Sequence, residues 1–403
     1  MSKMYIERKM YLKRILPFMG KDLIKVIVGQ RRAGKSFLLF QIMDALQKSG
    51  VKRSSILYLN KELHEFDHIR TSRDLLAYIE GRRKGIRGKM AVCIDEVQDV
   101  EHFERALRDL HAKGKYDIYC TGSNAELFSA DIANALGGRY IEIPVYPLSY
   151  AEFILFHRLG DSVESLDRYF RFGGMPYLVN VTNEETAVYE YLRSLYNTIL
   201  LKDVVGRFGV RNVPFLERLV EYTADTVGSY VSAKRISDFL TSQRISIAPK
   251  VVLEYLAHLS SAFFLYRTQR ADIQGKKIFE VNEKYYWCDV GIRHALVGYR
   301  PADINKILEN IVFMHLKISG YRVTVGQLGK KEIDFIAERG SERRYIQVAF
   351  HIDSSAVQER EFGNLLSIQD QYPKIVISMD EFAGGNVKGV EHLHVRDFLL
   401  SVK

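Results

Sequence analysis

Cysteine is scarce in this sequence, with three residues among 403. Cys93, Cys120 and Cys288 are far apart, and each lies in an apolar stretch. The pattern predicts neither a disulfide framework nor a cysteine-based metal site, because both need cysteines at recurring spacings. We expect all three to be small core residues of a protein in a reducing compartment, the cytoplasm.

Long apolar runs are also absent. No run reaches the ~18 residues that a membrane-spanning helix needs, and the first nine residues lack the apolar core of a signal peptide. The sequence contains no internal repeat and no low-complexity tract. Because no apolar run is long enough to span a membrane, we expect no membrane partner.

The composition is typical of a globular protein, with 47% hydrophobic and 27% charged residues. A chain of 403 residues exceeds one ordinary core, so we expect two or three domains. The formal net charge of +9 mildly favours a nucleic-acid partner, although many basic proteins only gain solubility from such a charge.

One stretch fits the P-loop pattern G-x-x-x-x-G-K-[ST]: Gly29-Gln30-Arg31-Arg32-Ala33-Gly34-Lys35-Ser36. The apolar run before it predicts a strand, and the run that opens at Phe37 predicts a helix. Such a junction gathers backbone N–H groups and the positive end of a helix dipole where a polyphosphate binds. We expect residues 29–37 to bind ATP, with Lys35 on the β- and γ-phosphates and Ser36 on Mg²⁺.

A pair of acids follows a second apolar stretch, where residues 90–94 run directly into Asp95 and Glu96. An apolar run before acids commonly marks only a strand that reaches the surface. Downstream of a P-loop, it predicts that Asp95 holds Mg²⁺ and its water shell and that Glu96 polarises the attacking water. Two roles are expected because neighbouring strand residues point to opposite faces.

Polar residues also end the strand predicted over 116–124. In an open parallel sheet, ligands bind beyond the carboxyl ends of the strands. Ser123 or Asn124 could therefore position the lytic water or contact the γ-phosphate, and a turn with a helix cap explains the same residues equally well. A last strand is predicted over 140–145.

The order of these motifs resembles the AAA-type ATPases, in which an extra strand, here 55–60, lies between the two nucleotide motifs. Four further segments resemble an uncharacterised archaeal and bacterial family: Thr121–Asn124, Gly138–Tyr140, Tyr146–Ser149 and Phe172–Pro176. That family joins an AAA-type ATPase domain to a C-terminal domain of unknown function, and the resemblance covers nearly the whole chain. It implies an α/β fold with a parallel-sheet P-loop domain.

The resemblance also implies a role for Arg139, which precedes the last predicted strand. AAA-type relatives place there an arginine that completes the active site of a neighbouring subunit, which would make the protein a homo-oligomer. An ordinary ion pair at a strand start is the alternative. Residues 159–225 are predicted to be helical, with a turn at Gly173-Gly174, and would form a lid over the nucleotide.

Residues 226–300 predict helix, turn, helix and hairpin, the outline of a winged helix-turn-helix. Its apolar face consists of Val251, Val252, Tyr255, Leu256 and Leu259. Its basic residues suit phosphate contacts and are Lys234, Arg235, Arg244, Lys250, Arg267, Arg270, Lys276 and Lys277. DNA is the partner that this charge favours, but winged helices also bind proteins.

Residues 301–403 resemble the restriction-endonuclease-like fold, in which a helix Glu, a strand Asp and a downstream Glu-x-Lys build a metal-dependent nuclease. Glu309 and Asp334 match, whereas Gln347 and Ala349 stand where Glu and Lys belong. Lys330 or Lys331 could substitute for the missing lysine, although both lie on a predicted turn. We expect no nuclease activity.

The sequence thus predicts four domains: the ATPase domain (1–158), a helical lid (159–225), the winged helix (226–300) and the nuclease-like domain (301–403). The expected activity is Mg²⁺-dependent ATP hydrolysis coupled to a nucleic-acid or protein partner. Two alternatives stay open at this point, a nucleotide-gated signalling or scaffold protein and an ATP-dependent nuclease.

Overall fold

A parallel sheet organises the first of two compact units, which comprises residues 1–146 and 261–263. The computed structural model describes residues 5–125, 134–181, 184–273, 278–381 and 385–401, without side chains at 278–282. The five strands of this sheet are β1 (Ile24–Val28), β2 (Ile56–Asn60), β3 (Met90–Asp95), β4 (Tyr116–Gly122) and β5 (Tyr140–Pro144). The helices are α1 (Lys9–Ile15), α2 (Lys35–Lys48), α3 (Ser72–Arg83) and α4 (Phe103–Ala112).

The strand order is β2-β3-β4-β1-β5, and every neighbouring pair is parallel. Strands β1, β3 and β4 are buried along their whole length, as near-continuous apolar runs in a parallel sheet must be. The predicted parallel α/β sheet is therefore confirmed, with strand ends within two residues of the predicted ones. Its order places the loop after β1 beside the carboxyl ends of β3 and β4.

The second unit comprises residues 147–260 and 264–403 and starts with helices. They are α5 (Tyr150–His157), α6 (Val163–Phe172), α7 (Glu185–Thr198), a π-helix (Ile199–Gly206) and α8 (Val213–Asp225). Further along the chain lie α9 (Ala233–Ser242), α10 (Pro249–Ser261), α11 (Val290–Val297), α12 (Ile304–Ile318), α13 (Ser355–Leu366) and α14 (Val395–Leu400). Among the described residues, no helix is long and apolar enough to cross a membrane.

A mixed sheet of nine strands runs through this unit in the order β13-β14-β12-β11-β10-β9-β7-β8-β6. The strands are β6 (Tyr230–Val231), β7 (Leu265–Asp272), β8 (Ile278–Trp287), β9 (Arg322–Leu328), β10 (Lys331–Arg339), β11 (Glu342–Val348), β12 (Lys374–Ser378), β13 (Gly385–Val387) and β14 (Val390–His394). Hairpin β7–β8 continues past the predicted strands because β7 extends to Asp272 and pairs in parallel with β9. The sheet therefore draws strands from both sides of the boundary predicted at residue 300.

The Gly173-Gly174 turn is part of a tightly packed junction within the second unit. The Leu148 N–H donates to the Gly174 carbonyl at 2.7 Å, and the Gly174 N–H donates to Asp289 at 2.7 Å. A Cβ on Gly173 would lie 2.3 Å from Asp289, and one on Gly291 would lie 2.0 Å from the Phe172 carbonyl oxygen. Three separate segments therefore meet where only glycine fits.

Candidate nucleotide site

The P-loop leaves β1 through a turn that requires glycine at both ends. Gly29 has φ +150, and a Cβ there would lie 2.0 Å from the Val145 carbonyl oxygen. Gly34 has φ +101 and immediately precedes α2. Because left-handed backbone is costly for residues with a Cβ, these two glycines set the path of the loop into the helix N-terminus.

Lys35 lies inside the loop that precedes it. Its ammonium donates to the carbonyl oxygens of Gly29 at 3.0 Å and Gln30 at 3.2 Å. It also forms a buried ion pair with Glu96 at 3.4 Å. The sole cation of α2's first turn is thus held between the loop and the downstream acid.

Ser36 and Asp95 meet, as the predicted Mg²⁺ site requires. The Ser36 hydroxyl donates to the Asp95 carboxylate, which also accepts from Tyr58 at 2.9 Å and from Thr121. Burial raises the pKa of Asp95 above its ordinary value, although these three hydrogen bonds oppose the rise. One carboxylate beside one hydroxyl fits Mg²⁺, which keeps several waters and takes further ligands from substrate phosphates.

Among the residues that the structure describes, no three His, Cys, Asp or Glu side chains converge as a ready metal cage. The donor set at Ser36 and Asp95 therefore suits a metal that arrives with a polyphosphate. It does not suit a tightly held structural ion.

Glu96 is held as an ionised carboxylate. Its backbone adopts φ 56, and its N–H donates to the Thr121 hydroxyl at 2.9 Å. Burial alone would raise the pKa of Glu96, but the Lys35 ammonium and a 2.6 Å hydrogen bond from Gln98 outweigh it and hold the pKa at about 2. The Ser123 hydroxyl lies close enough to Glu96 to lower its pKa slightly, but it is buried without a hydrogen-bond partner among the described residues. The structure thus places Ser123 beside Glu96, and its catalytic role stays a prediction.

The remaining predicted site residues differ in their surroundings. Asn124 is buried beside Ser123 beyond the end of β4. Gln30 is fully buried, and both polar atoms of its amide have no hydrogen-bond partner. Arg31 donates to Glu62 at 2.8 Å. Arg32 and Phe37 point outward, and Phe37 is 49% exposed, so its predicted contact is limited to the backbone N–H.

Arg139 is exposed and lies beside the amino ends of the strands, opposite to the carboxyl ends that the P-loop follows. Its carbonyl accepts from the Ile24 N–H, so it stands where β1 and β5 begin, whereas the P-loop follows the end of β1. A five-residue strand separates these edges by about 16 Å. Arg139 therefore does not join the site of its own chain, and its action on a neighbouring chain stays a prediction.

One supporting residue has no signature in the sequence. Arg8 is buried, and its guanidinium donates to the carbonyl oxygens of Ala33 at 2.9 Å and Tyr146 at 3.0 Å. It thereby links the P-loop to the segment that follows β5. Thr121, which contacts Asp95 and Glu96, was also missed, although a hydroxyl in an apolar strand just before Ser123 was a usable signal.

Two family models match parts of this chain. The family model described as an AAA domain matches residues 21–154, and one described as a domain of unknown function matches residues 163–303. The Aeropyrum pernix ORC1 protein, solved with DNA, is 12% identical, with a TM-score of 0.34 over 73% of this chain and 92% of that one. AMPPCP-bound DnaA from Aquifex aeolicus is 14% identical, with a TM-score of 0.30 over 62% of this chain and 85% of that one.

Residues 21–154, which match the AAA-domain model, contain the P-loop and the parallel sheet that the order of the motifs predicts. An uncharacterized protein of Haemophilus influenzae is 38% identical over 99% of this chain and 100% of its own length. The chain belongs to the family of that protein. An uncharacterized protein of Methanocaldococcus jannaschii is 27% identical over 92% of this chain and 86% of its own.

Proposed function

We propose that the protein is a Mg²⁺-dependent ATPase that couples hydrolysis to a nucleic-acid or protein partner. The observation that carries this proposal is the meeting of Lys35, Ser36, Asp95 and Glu96 at one edge of the sheet. Lys35 and Ser36 lie in the first turn of α2, whereas Asp95 ends β3 and Glu96 follows it directly. Together they form a phosphate-binding cation, a Mg²⁺-binding pair and a carboxylate base.

The resting contacts support an order of events. ATP would draw the Lys35 ammonium from Glu96 to the β- and γ-phosphates, where Mg²⁺ on Ser36 and Asp95 neutralises developing charge. Glu96, freed from that cation, becomes a stronger base for the water that attacks the γ-phosphate. Ser123 and Asn124 would position this water, and Arg139 of a neighbouring chain would stabilise the transition state in an oligomer.

The test of nucleotide binding is Lys35→Ala, which should abolish ATP binding because it removes the charge that faces the phosphates. Binding of a fluorescent ATP analogue with Mg²⁺ measures this directly. Lys48→Ala is a matched control, since it removes an exposed lysine from the far end of the same helix. Equal affinity in Lys35→Ala and wild type would refute the proposal.

The proposed partner is DNA, bound through α9, α10 and hairpin β7–β8 as a winged helix. Buried Val252, Tyr255, Leu256 and Leu259 give α10 the predicted apolar face, and Val251 is half-buried. Five basic residues of this segment are exposed: Lys234, Arg235, Arg244, Lys250 and Arg267. Arg270 is half-buried, and Lys276 and Lys277 lie outside the described residues. A protein partner on the same face is the alternative, and it would suit a nucleotide-gated scaffold.

Salt dependence tests the DNA proposal. If Arg244 and Lys250 contact phosphates, log affinity for duplex should fall linearly with log salt, and replacing both with Ala should lower the slope by about 1.8. The loss should be the same for unrelated DNA sequences, because phosphates carry no sequence information. Arg218→Ala, an exposed change on α8, is the control. Absence of binding at low salt, with and without ATP, would assign this face to a protein.

For the C-terminal segment we propose a nuclease-like fold that does not cleave. The order α12, β9, β10, β11, α13, β12 supports the fold, with Asp334 on β10 and Gln347 on β11. Ala349 offers no ammonium, and the Lys331 amine instead donates to the Gly363 carbonyl at 3.3 Å. Loss of a charged metal ligand and of a lysine removes stabilisation where negative charge would develop.

A further inference from the structure

One buried lysine of the second unit is surrounded by carboxylates from separate elements. The Lys284 ammonium on β8 lies 3.1 Å from Glu309 on α12 and 2.8 Å from Glu332 on β10. Asp334, two residues further along β10, is also buried, and its charge acts on Lys284. The ammonium therefore lies at the point where oxygen atoms of two carboxylates converge.

This arrangement keeps the lysine charged. Burial alone would lower the pKa of Lys284, but Glu309, Asp334 and Glu332 outweigh it and raise the pKa above its ordinary value. The side chain is 4% exposed, so its charge is largely shielded from solvent. The Tyr230 ring lies 5.5 Å from the ammonium and adds a cation–π contact.

Carboxylates from different elements can converge on a divalent cation, which they bind through oxygen at about 2.0–2.6 Å. Here the cation is the Lys284 ammonium, and its contacts of 2.8 and 3.1 Å have the length expected of hydrogen bonds to an ammonium. A cavity of about 560 Å³ is lined by Glu332, Asp334 and Glu361, so a metal ion from solvent could reach these acids. Lack of access therefore does not explain why the cluster holds an ammonium. One Glu361 oxygen is buried in that region without a hydrogen-bond partner.

We propose that the Lys284 ammonium takes the place of a divalent cation among Glu309, Glu332 and Asp334, so that the wild-type cluster is a latent metal site. Latent means that the acids bind Mn²⁺ or Mg²⁺ only after the ammonium is removed. The same contacts fasten β8 to α12, since Tyr286 on β8 also donates to Glu309 at 2.6 Å. The chain thus supplies from β8 an ammonium that position 349 lacks, and uses it to hold the sheet together.

The test is Mn²⁺ binding by nucleotide-free full-length chains that carry Asp95→Asn, which removes the proposed metal ligand of the first unit. Lys284→Met keeps the volume and removes the charge. We expect it to bind Mn²⁺ at least about tenfold more tightly than the parent, which corresponds to about 1.4 kcal/mol. We also expect Mn²⁺ to raise the melting temperature of Lys284→Met and not that of the parent, because binding to the folded state alone stabilises it.

Two controls define the outcome. Lys306→Met, which removes a half-exposed lysine from the same helix as Glu309, should not gain Mn²⁺ binding, and adding Glu309→Gln to Lys284→Met should abolish the gain. Unchanged Mn²⁺ affinity in folded Lys284→Met overturns the proposal. So does Mn²⁺ binding by the Lys284 parent that is lost with Asp334→Asn, and this measurement does not require Lys284→Met to fold.

Discussion

Replacing Glu96 with glutamine is expected to leave ATP binding intact and to slow hydrolysis at least about a hundredfold, the usual contribution of a general base. The amide preserves the shape of the side chain and accepts one hydrogen bond, so the contact with Gln98 needs little rearrangement. It cannot take a proton from water, however. A single-turnover assay with Mg²⁺-ATP separates the two effects, because bound nucleotide should persist while phosphate release falls.

The pKa of Glu96, about 2 in the resting site, gives this prediction a second component. Burial has the largest effect on this pKa and raises it, whereas the Lys35 ammonium is the main group that lowers it. If ATP draws that ammonium away, the base strengthens only when substrate is bound, which limits water activation in the empty site. Glu101→Gln, an exposed change just beyond the site, is the control and should hydrolyse ATP normally. A wild-type rate in Glu96→Gln would show that the base is another group.

The parts of this fold that the sequence predicts depend on local patterns. Buried runs gave β1, β3 and β4, and the glycine spacing around Lys35 gave the loop, because each pattern lies within one strand or turn. Placing Ser36 beside Asp95 needed only the rule that parallel strands end at the same edge of a sheet. That pairing was predictable without knowing any side-chain distance.

The contacts that were missed join residues far apart in the chain. Arg8 reaches the P-loop from a helix end, and Lys284 reaches Glu309 from a hairpin that a local interpretation treats as separate. The parallel pairing of β7 with β9 was also unpredictable, since the sequence of neither strand indicates which strand it pairs with. A lone arginine or lysine in an ordinary strand or loop gives no signal until the pairing is known.

The glycines around Gly173 also contact residues that are distant in the chain. One of these contacts gives the prediction with the largest effect on stability. Gly291 lies in the first turn of α11, where alanine would normally favour the helix by about 1 kcal/mol. Here a Cβ would lie 2.0 Å from the Phe172 carbonyl oxygen and 3.0 Å from Asp289. Backbone cannot yield as a flexible side chain does, so packing should outweigh propensity.

We therefore expect Gly291→Ala to lower the free energy of unfolding by about 3 kcal/mol, at the upper end of ordinary overpacking. Denaturant unfolding followed by Trp287 fluorescence measures it, because this is the single tryptophan of the chain and it is fully buried in the second unit. Gly363→Ala on α13 is the matched control: its nearest contact would be 4.0 Å away, so helix propensity should prevail and stability should rise slightly. If both variants gained stability, the close approach of α11 to Phe172 would be wrong, and the junction at Gly173-Gly174 would need another explanation.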